Sequence, residues 1–141
     1  MMGSVLRITG ATLRRVVRAR DYLHAEVSRA LTLEDLARAS GLSRAHFARA
    51  FASTFGVPPH QYLLRLRLER AKVELARGAS VTETCLAVGF ESVGSFSTVF
   101  HKRVGIPPSA WQRQARVVVQ SLGLPALWIP GCFLVRCVEH V

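Results

Sequence analysis

An internal repeat restricts the fold of this chain more than any other feature. The segment at residues 80–111 can be laid on the segment at residues 32–62. Six residues lie 49 positions after their counterparts: Phe96, Phe100, Gly105, Pro107, Pro108 and Trp111 follow Phe47, Phe51, Gly56, Pro58, Pro59 and Tyr62. Gly89 lies only 48 positions after Gly41, so one turn is a residue longer in the second copy. Two copies separated by a distinct segment indicate a duplicated supersecondary unit instead of a solenoid.

Each copy has the pattern of a short helix, a tight turn and a second helix. In the first copy, Thr32 can cap a helix whose first turn carries acidic residues at the positive end of the dipole, and Gly41 ends it. Ser43 can cap the next helix, where three phenylalanines recur every four residues on one face: Phe47, Phe51 and Phe55. We expect this face, and its counterpart with Phe96 and Phe100, to pack in the core instead of stacking on bases.

Two further helices are predicted beside the copies. Apolar residues recur at helical spacing over residues 12–30. The segment 59–77 is uninterrupted, and its apolar residues form one stripe: Leu64, Leu68, Ala71 and Leu75. Arg65, Lys72 and Glu74 would then be solvated. A helix of about 19 residues, at ~1.5 Å each, spans about 30 Å, which is comparable with the ~34 Å between major grooves on one face of DNA.

These patterns predict an all-α fold with two helix-turn-helix subdomains joined by a long linker helix, about seven helices in all, plus an apolar C-terminal tail. The predicted boundaries are an N-terminal extension at 1–11, a double helix-turn-helix domain at 12–116 and the tail at 117–141. Within the domain they are a first unit at 32–56, the linker helix at 59–77, a second unit at 80–105 and a closing helix at 107–114.

The charge of the chain is strongly positive and unevenly placed. Basic residues outnumber acidic ones 19 to 9, which gives a net charge of +10. All but one residue of each kind lie before residue 117, so the whole excess lies there. Only Lys72 and Lys102 are lysines, and arginine suits bidentate contacts with phosphate and guanine. The pattern indicates a polyanionic partner such as DNA. A helical interaction protein whose basic face binds an acidic partner or RNA, or a merely solvated basic surface, is the alternative.

None of the residue arrangements typical of enzymes or metal proteins is found in the sequence. A paired acid and base, a nucleophile with a partner and a phosphate loop are all missing, so no enzymatic activity is expected. Cys132, Cys137 and His140 match no zinc spacing, and neither a metal nor another cofactor is expected. Cys85 is interpreted as a small buried residue, with a thiol switch as the alternative. Unpaired cysteines, and the lack of a signal peptide pattern in residues 1–20, favour the cytoplasm.

Residues 117–135 form an uncharged run of 19 residues, which is long enough to suggest a membrane span. Polar residues, glycines and the two prolines Pro125 and Pro130 interrupt it, so an irregular segment outside the membrane is expected. We expect this segment to fold back, with four large apolar residues either covering an apolar patch or mediating self-association: Leu127, Trp128, Ile129 and Phe133.

Two segments resemble the AraC/XylS-type transcription regulators: RLRLERAKVELARG at 65–78 and AVGFESVGSFSTVFHKRVGIPPSAW at 87–111. The resemblance covers roughly residues 18–114. It implies a module of seven helices that places two recognition helices in adjacent major grooves of double-stranded promoter DNA, near RNA polymerase. Modules of this family end near Gln114, so the resemblance implies nothing about the tail.

The resemblance also assigns candidate contact residues by position. On the first recognition helix, the residues implied to face bases are Arg44, Ala45, His46, Ala48 and Arg49. On the second they are Val93, Gly94, Ser95, Ser97 and Thr98. The residues implied to contact phosphates are Lys102, Arg103 and Arg113. We expect Arg49 to bind guanine with two hydrogen bonds, whereas the small residues of the second helix favour close approach over strong base discrimination.

Overall fold

The computed structural model describes residues 7–139. Residues 1–6 and 140–141 lie outside this range, and with them most of the predicted extension at 1–11 and His140. The described residues form helices and no strand: α1 Gly10–Ala25, α2 Leu33–Ser40, α3 Arg44–Phe55, α4 Pro59–Ala76, α5 Val81–Ala87, α6 Val93–Val104, α7 Pro108–Leu122, a 3-10 helix Ala126–Trp128, and α8 Gly131–Glu139. The all-α prediction is confirmed, with one α-helix more in this range than the seven expected.

The chain divides into two compact units between Leu66 and Arg67, inside α4. In the first unit, α1 packs against α2 and α3, and α2 packs against α3. The core draws on all three helices, on the turn after α1 and on the start of α4: Val16, Ala19, Leu23, Val27, Leu36, Ala37, Phe47, Ala50, Phe51 and Leu63. α1 is shorter than the predicted helix 12–30 because the chain turns at Glu26, from which Val27 still reaches the core.

Local hydrogen bonds fix the turn between α2 and α3. Thr32 and Asp35 form a reciprocal capping box, in which the Asp35 N–H donates to Thr32 Oγ1 at 3.1 Å and the Thr32 N–H donates to Asp35 Oδ2 at 3.0 Å. α2 ends at Gly41, whose φ of 68° lies in the left-handed region that glycine adopts without strain. Ser43 caps α3 by accepting the His46 N–H at 3.2 Å. The caps and the turn that the sequence predicts are therefore present.

The second unit repeats the capped helices and the turn with α5 and α6, and α7 follows them as α4 follows α3. Ser80 and Glu83 form the capping box of α5, and Ser92 caps α6. The buried apolar residues of the unit include Ala71, Leu75, Cys85, Val88, Phe96, Phe100, Trp111 and Ala115. The repeat seen in the sequence is thus a repeat of helices, caps and core positions.

The two turns share one hydrogen-bond pattern and differ in length after the glycine. The Leu42 N–H donates to the Ala37 carbonyl at 3.1 Å, and the Phe90 N–H donates to the Cys85 carbonyl at 3.0 Å. Between the glycine and the serine cap, the first turn has Leu42 alone, whereas the second has Phe90 and Glu91. The predicted extra residue is confirmed, and it lies on the side of the turn that leads into α6.

Both units contain the same arrangement of three aromatic rings, all of them buried except Tyr62, which is half-buried. In the first unit the rings are Phe47, Phe51 and Tyr62, with successive centroids 5.6 Å and 5.4 Å apart. In the second unit they are Phe96, Phe100 and Trp111, with successive centroids 5.6 Å and 6.4 Å apart. The third ring comes from the helix that follows each unit, so the start of α4 has in the first unit the role that α7 has in the second.

The sequence predicts a solvated Lys72, and this prediction is wrong. The Lys72 side chain is only 10% exposed, and its Nζ donates to Glu139 at 2.6 Å and to Glu69 at 3.0 Å. Burial lowers the pKa of Lys72, the two carboxylates raise it, and the net shift is upward. Glu139 belongs to α8, so the α4 surface that would otherwise face solvent at Lys72 is covered by a helix that sequence periodicity does not anticipate.

The closing helix and the tail also differ from the prediction. α7 continues to Leu122 instead of ending at residue 114, so the first part of the predicted tail is helical. α8 packs on α7. Pro130 precedes α8 without interrupting it, because proline is tolerated where a helix starts. A Cβ on Gly131 would lie 3.0 Å from Val73, so this glycine lets α8 approach α4 closely instead of breaking a helix.

The apolar residues of the tail divide between core and surface. Ile129 is buried, as are Val135 and Val138 of α8. Trp128 and Phe133 are 77% and 50% exposed, so of the two predicted alternatives they do not fit the covering of an apolar patch. The side chain of Leu127 lies outside what the structure describes. No helix within residues 7–139 combines the length and the apolar character that crossing a membrane requires.

Candidate nucleic-acid interface

α3 is the first candidate recognition helix, and its two faces differ in character. Its buried residues are Phe47, Ala50 and Phe51. The five sequence-predicted residues lie on the rest of the same helix, with Arg44, Ala45 and Arg49 exposed and His46 and Ala48 half-buried. Because helical periodicity fixes the angle between these positions, burial of the phenylalanines turns both arginines outwards.

Arg15 of α1 supports the turn that leads into α3. Its guanidinium group donates to the Gly41 carbonyl at 3.2 Å. A charged donor on this carbonyl is a stronger partner than a neutral one. The sequence pattern gives no sign of this contact, because 26 positions separate the two residues and periodicity reports only on near neighbours.

α6 is the second candidate recognition helix, and its outward residues are small. Phe96 and Phe100 are buried, while Val93, Gly94, Ser95 and Thr98 are exposed and Ser97 is half-buried. A Cβ on Gly94 would meet no atom within 4 Å. Packing within the described residues therefore gives no reason for a glycine at this position. Glycine is also unfavourable there, since it destabilises a helix by about 1 kcal/mol relative to alanine.

The basic residues of the candidate surface have no acidic partner within residues 7–139. Among the predicted contact residues, the exposed cations without an ion pair are Arg44 and Arg49 on α3, Lys102 and Arg103 at the end of α6, and Arg113 on α7. By contrast, Arg20 pairs with Asp21 at 2.7 Å and Arg29 with Glu26 at 3.3 Å. Because these cations have no carboxylate partner, an incoming phosphate or base does not have to displace one. They are therefore available for phosphate or base contacts.

The longer second turn is a packed structure. The Phe90 ring lies 5.3 Å from the Phe96 ring, and the Arg67 guanidinium lies 6.0 Å from the Phe90 centroid. Burial lowers the pKa of Arg67. The Cys85 thiol donates weakly to the Phe90 carbonyl at 3.7 Å, and burial raises the pKa of Cys85, so the thiol stays protonated. Phe90, the counterpart of Leu42, thus contacts both α4 and α6 and holds the second turn in place.

The capping carboxylates of both units are held ionised. Hydrogen bonds from the Thr32 side chain and backbone lower the pKa of Asp35, and hydrogen bonds from the Ser80 backbone and side chain lower the pKa of Glu83. Each negative charge lies at the positive end of the helix it caps, where it is stabilising. These carboxylates stabilise α2 and α5, the first helix of each unit. Neither of them belongs to α3 or α6.

Within residues 7–139, no three histidine, cysteine or acidic side chains are grouped so that they could hold a metal ion. His140, which is near Cys132 and Cys137 in the sequence, lies outside the described residues.

Two units of this kind define a class of protein. Each has a capped helix, a glycine turn and a second helix whose aromatic face is buried and whose other face is open. This is a double helix-turn-helix protein, with α4 joining the two motifs.

Comparison with known proteins assigns the family. A family model described as a helix-turn-helix domain matches residues 36–114. A putative AraC-like transcription regulator of Streptomyces lividans is 33% identical over 99 residues, which are 70% of this chain and 33% of the relative. The chain belongs to the AraC-type helix-turn-helix family, as its sequence predicts. It spans between a third and two-fifths of the length of three curated relatives that it matches.

Two solved structures are similar to this chain. The DNA-binding domain of AdpA, a global transcriptional factor, in complex with a target DNA, has a TM-score of 0.71 and 26% identity, covering 73% of this chain and 94% of that one. The C-terminal domain of AraT, a response regulator from Geobacillus stearothermophilus, has a TM-score of 0.69 and 28% identity, covering 76% and 87%.

Proposed function

We propose that this chain is a DNA-binding transcription regulator that reads two adjacent major grooves of promoter DNA in a sequence-specific way. The observation that carries the proposal is the pair of equivalent helices, α3 and α6, each with an open face opposite a buried aromatic face. The similarity to the AdpA domain, which was crystallised with a target DNA, supports it. A non-enzymatic role in the cytoplasm is part of the proposal.

The two recognition helices differ in what they offer to DNA. On α3 the proposed base contacts are Arg44, Ala45, His46, Ala48 and Arg49, and only an arginine among them can bind guanine O6 and N7 together. On α6 the proposed contacts are Val93, Gly94, Ser95, Ser97 and Thr98, whose small size favours close backbone approach and bridging water. Lys102, Arg103 and Arg113 are proposed to bind phosphates. Specificity should therefore depend mainly on α3.

Arg49→Ala and Lys102→Ala should weaken DNA binding in different ways. Once a preferred site has been selected from random duplexes, Arg49→Ala is expected to lose ~1–3 kcal/mol and to relax specificity at one position. Lys102→Ala is expected to weaken all sequences alike and to reduce the salt slope by about one. Fluorescence anisotropy over a salt series measures both effects.

The control for these variants is Arg18→Ala, which removes an exposed, unpaired arginine of α1. It should leave sequence preference unchanged. If no preferred site emerges, or if all three variants lose the same affinity for DNA and RNA, the chain is a general basic-face binder and the regulator proposal is wrong.

Gly94→Ala should separate stability from DNA binding. The added Cβ meets no atom within 4 Å, so the free energy of unfolding is expected to rise by ~0.5–1 kcal/mol. The same methyl group would meet DNA if the α6 backbone approaches it closely, so affinity for the selected site should fall. Thermal denaturation and anisotropy measure the two quantities. A variant that is more stable and binds DNA normally would show that Gly94 is not at the interface.

We extend the proposal to RNA polymerase as a partner of the DNA-bound chain, because the curated relatives carry names of transcription regulators. Transcription in vitro from a promoter that bears the selected site should change when the chain is added. Unchanged transcript levels at full site occupancy would remove polymerase from the proposal.

We also propose self-association through the tail. Trp128, Phe133 and Leu124 are exposed by 50% or more, and the described tail carries only Arg136 and Glu139 as charges. Two copies of a chain with a net charge of +10 repel each other least where they are neutral and apolar. Sedimentation of Trp128→Ser/Phe133→Ser should show a smaller species than the unmodified chain. Leu86→Ser, which removes an exposed leucine of α5, is the control, and equal masses for all three would refute the idea.

A further inference from the structure

The second unit contains a small pocket between the end of α4, α7 and the 3-10 helix. Its volume is about 170 Å³, and its apolar lining residues are Leu75, Ala76, Val119 and Ala126. Val119 and Ala126 lie beyond residues 36–114, which the family model matches. The pocket is therefore built in part by a segment that the family module does not include.

Two arginines line this pocket without a counter-charge. Arg77 and Arg116 are exposed, and neither forms an ion pair within residues 7–139. Among the described residues, no acidic one lines the pocket. Gln112 is already engaged, since its Nε2 donates to the Ala79 carbonyl at 2.6 Å. The side chains left to meet a guest are thus two guanidinium groups, the Gln120 amide and an apolar wall.

We propose that this pocket binds a small amphipathic carboxylate, with one aromatic ring or a short acyl chain as its body. The carboxylate accepts hydrogen bonds from Arg77 and Arg116, and the apolar body covers Leu75, Val119 and Ala126. A DNA phosphate would satisfy the arginines but would leave the apolar wall in water, so it matches only half of the lining. The volume limits the guest to a single ring or a chain of similar size.

The pocket adjoins the loop that starts the second helix-turn-helix motif. Gly78 lines it with a φ of 101°, and Ala79 and Ser80 lead directly to the cap of α5. A bound carboxylate would therefore contact the segment that sets the position of α5. This part of the inference, that the ligand regulates DNA binding, rests on the proposed function, whereas the binding itself does not.

Titration of the ¹⁵N-labelled chain with benzoate tests the proposal, with amide chemical shifts as the readout. Benzoate is expected to give saturable shifts at Gly78, Gln112 and Gln120, with a dissociation constant on the order of 1 mM. Benzamide keeps the ring without the charge, and acetate keeps the charge without the ring. Both should bind at least about tenfold more weakly. Equal shifts with acetate and benzoate would show general anion binding and would overturn the proposal.

Two variants locate the site. Arg116→Ala should weaken benzoate binding about 10- to 100-fold, because it removes a charged hydrogen-bond donor. Ala126→Phe should abolish binding while both arginines remain, since the larger side chain occupies the pocket. Arg113→Ala is the matched control, because it removes an exposed arginine of the same helix that does not line the pocket. Unchanged affinity in both pocket variants would overturn the assignment.

The titration contains no DNA, so the two proposals fail separately. If the chain binds benzoate but selects no DNA site, the carboxylate pocket is supported and the proposed function as a regulator is wrong. A chain that selects a DNA site but shows no benzoate shifts, and in which Arg116→Ala weakens all DNA sequences alike, has a phosphate contact at Arg116 and no carboxylate pocket.

Discussion

Each unit depends on the burial of two phenylalanines of one helix against a larger ring from the helix that follows. Each aromatic ring removes roughly 150–250 Å² from water, at ~25 cal/mol per Å², so exposing one ring would cost several kcal/mol. Because Phe47 and Phe51, like Phe96 and Phe100, lie four positions apart, their burial fixes the rotation of α3 and α6 about their axes. The residues on the outward face are therefore held in place by rings they do not contact. The rotation of α3 and α6 thus determines both which residues lie in the core and which lie on the candidate interface.

A core fixed in this way leaves the outward face free to differ between the two copies. α3 carries two unpaired arginines, while α6 carries glycine, serine and threonine at its open positions. Neither set contributes to the aromatic core, so each can change without loss of the fold. One bidentate arginine contact discriminates against a wrong base by ~1–3 kcal/mol, whereas small residues admit backbone and water that discriminate less. Under the proposed function, one motif supplies most of the specificity and the other mostly holds the duplex.

The features that the sequence predicts are those set by near neighbours. The caps at Thr32 and Ser43, the glycine turns and the aromatic faces each depend on residues no more than a few positions apart. The candidate contacts come from the family resemblance, and all but Arg113 of α7 lie on α3 and α6. The features it misses join distant residues, such as Arg15 with the Gly41 carbonyl and Lys72 with Glu139. Pro130 and Gly131 show the limit most clearly. Local rules treat this pair as a break, but the glycine gives α8 room against Val73, which lies far away in the sequence.

Lys72 connects the tail to the core of the second unit, because it contacts both Glu139 of α8 and Trp111 of α7. Only the lysine of this pair is buried, since the Lys72 side chain is 10% exposed and the Glu139 side chain 39%. The carboxylate therefore mainly offsets the desolvation of the ammonium group, which would be strongly destabilising if left unmatched. Lys72 also accepts the Trp111 Nε1–H at its carbonyl, at 3.1 Å, and its Nζ lies 5.5 Å from the centroid of the Trp111 ring. Trp111 is the third ring of the second motif, and Glu139 supplies the closer of the two carboxylates. The last residue of α8 therefore acts, through one lysine, on the aromatic cluster that orients α6, which makes the tail a structural part of the second helix-turn-helix unit.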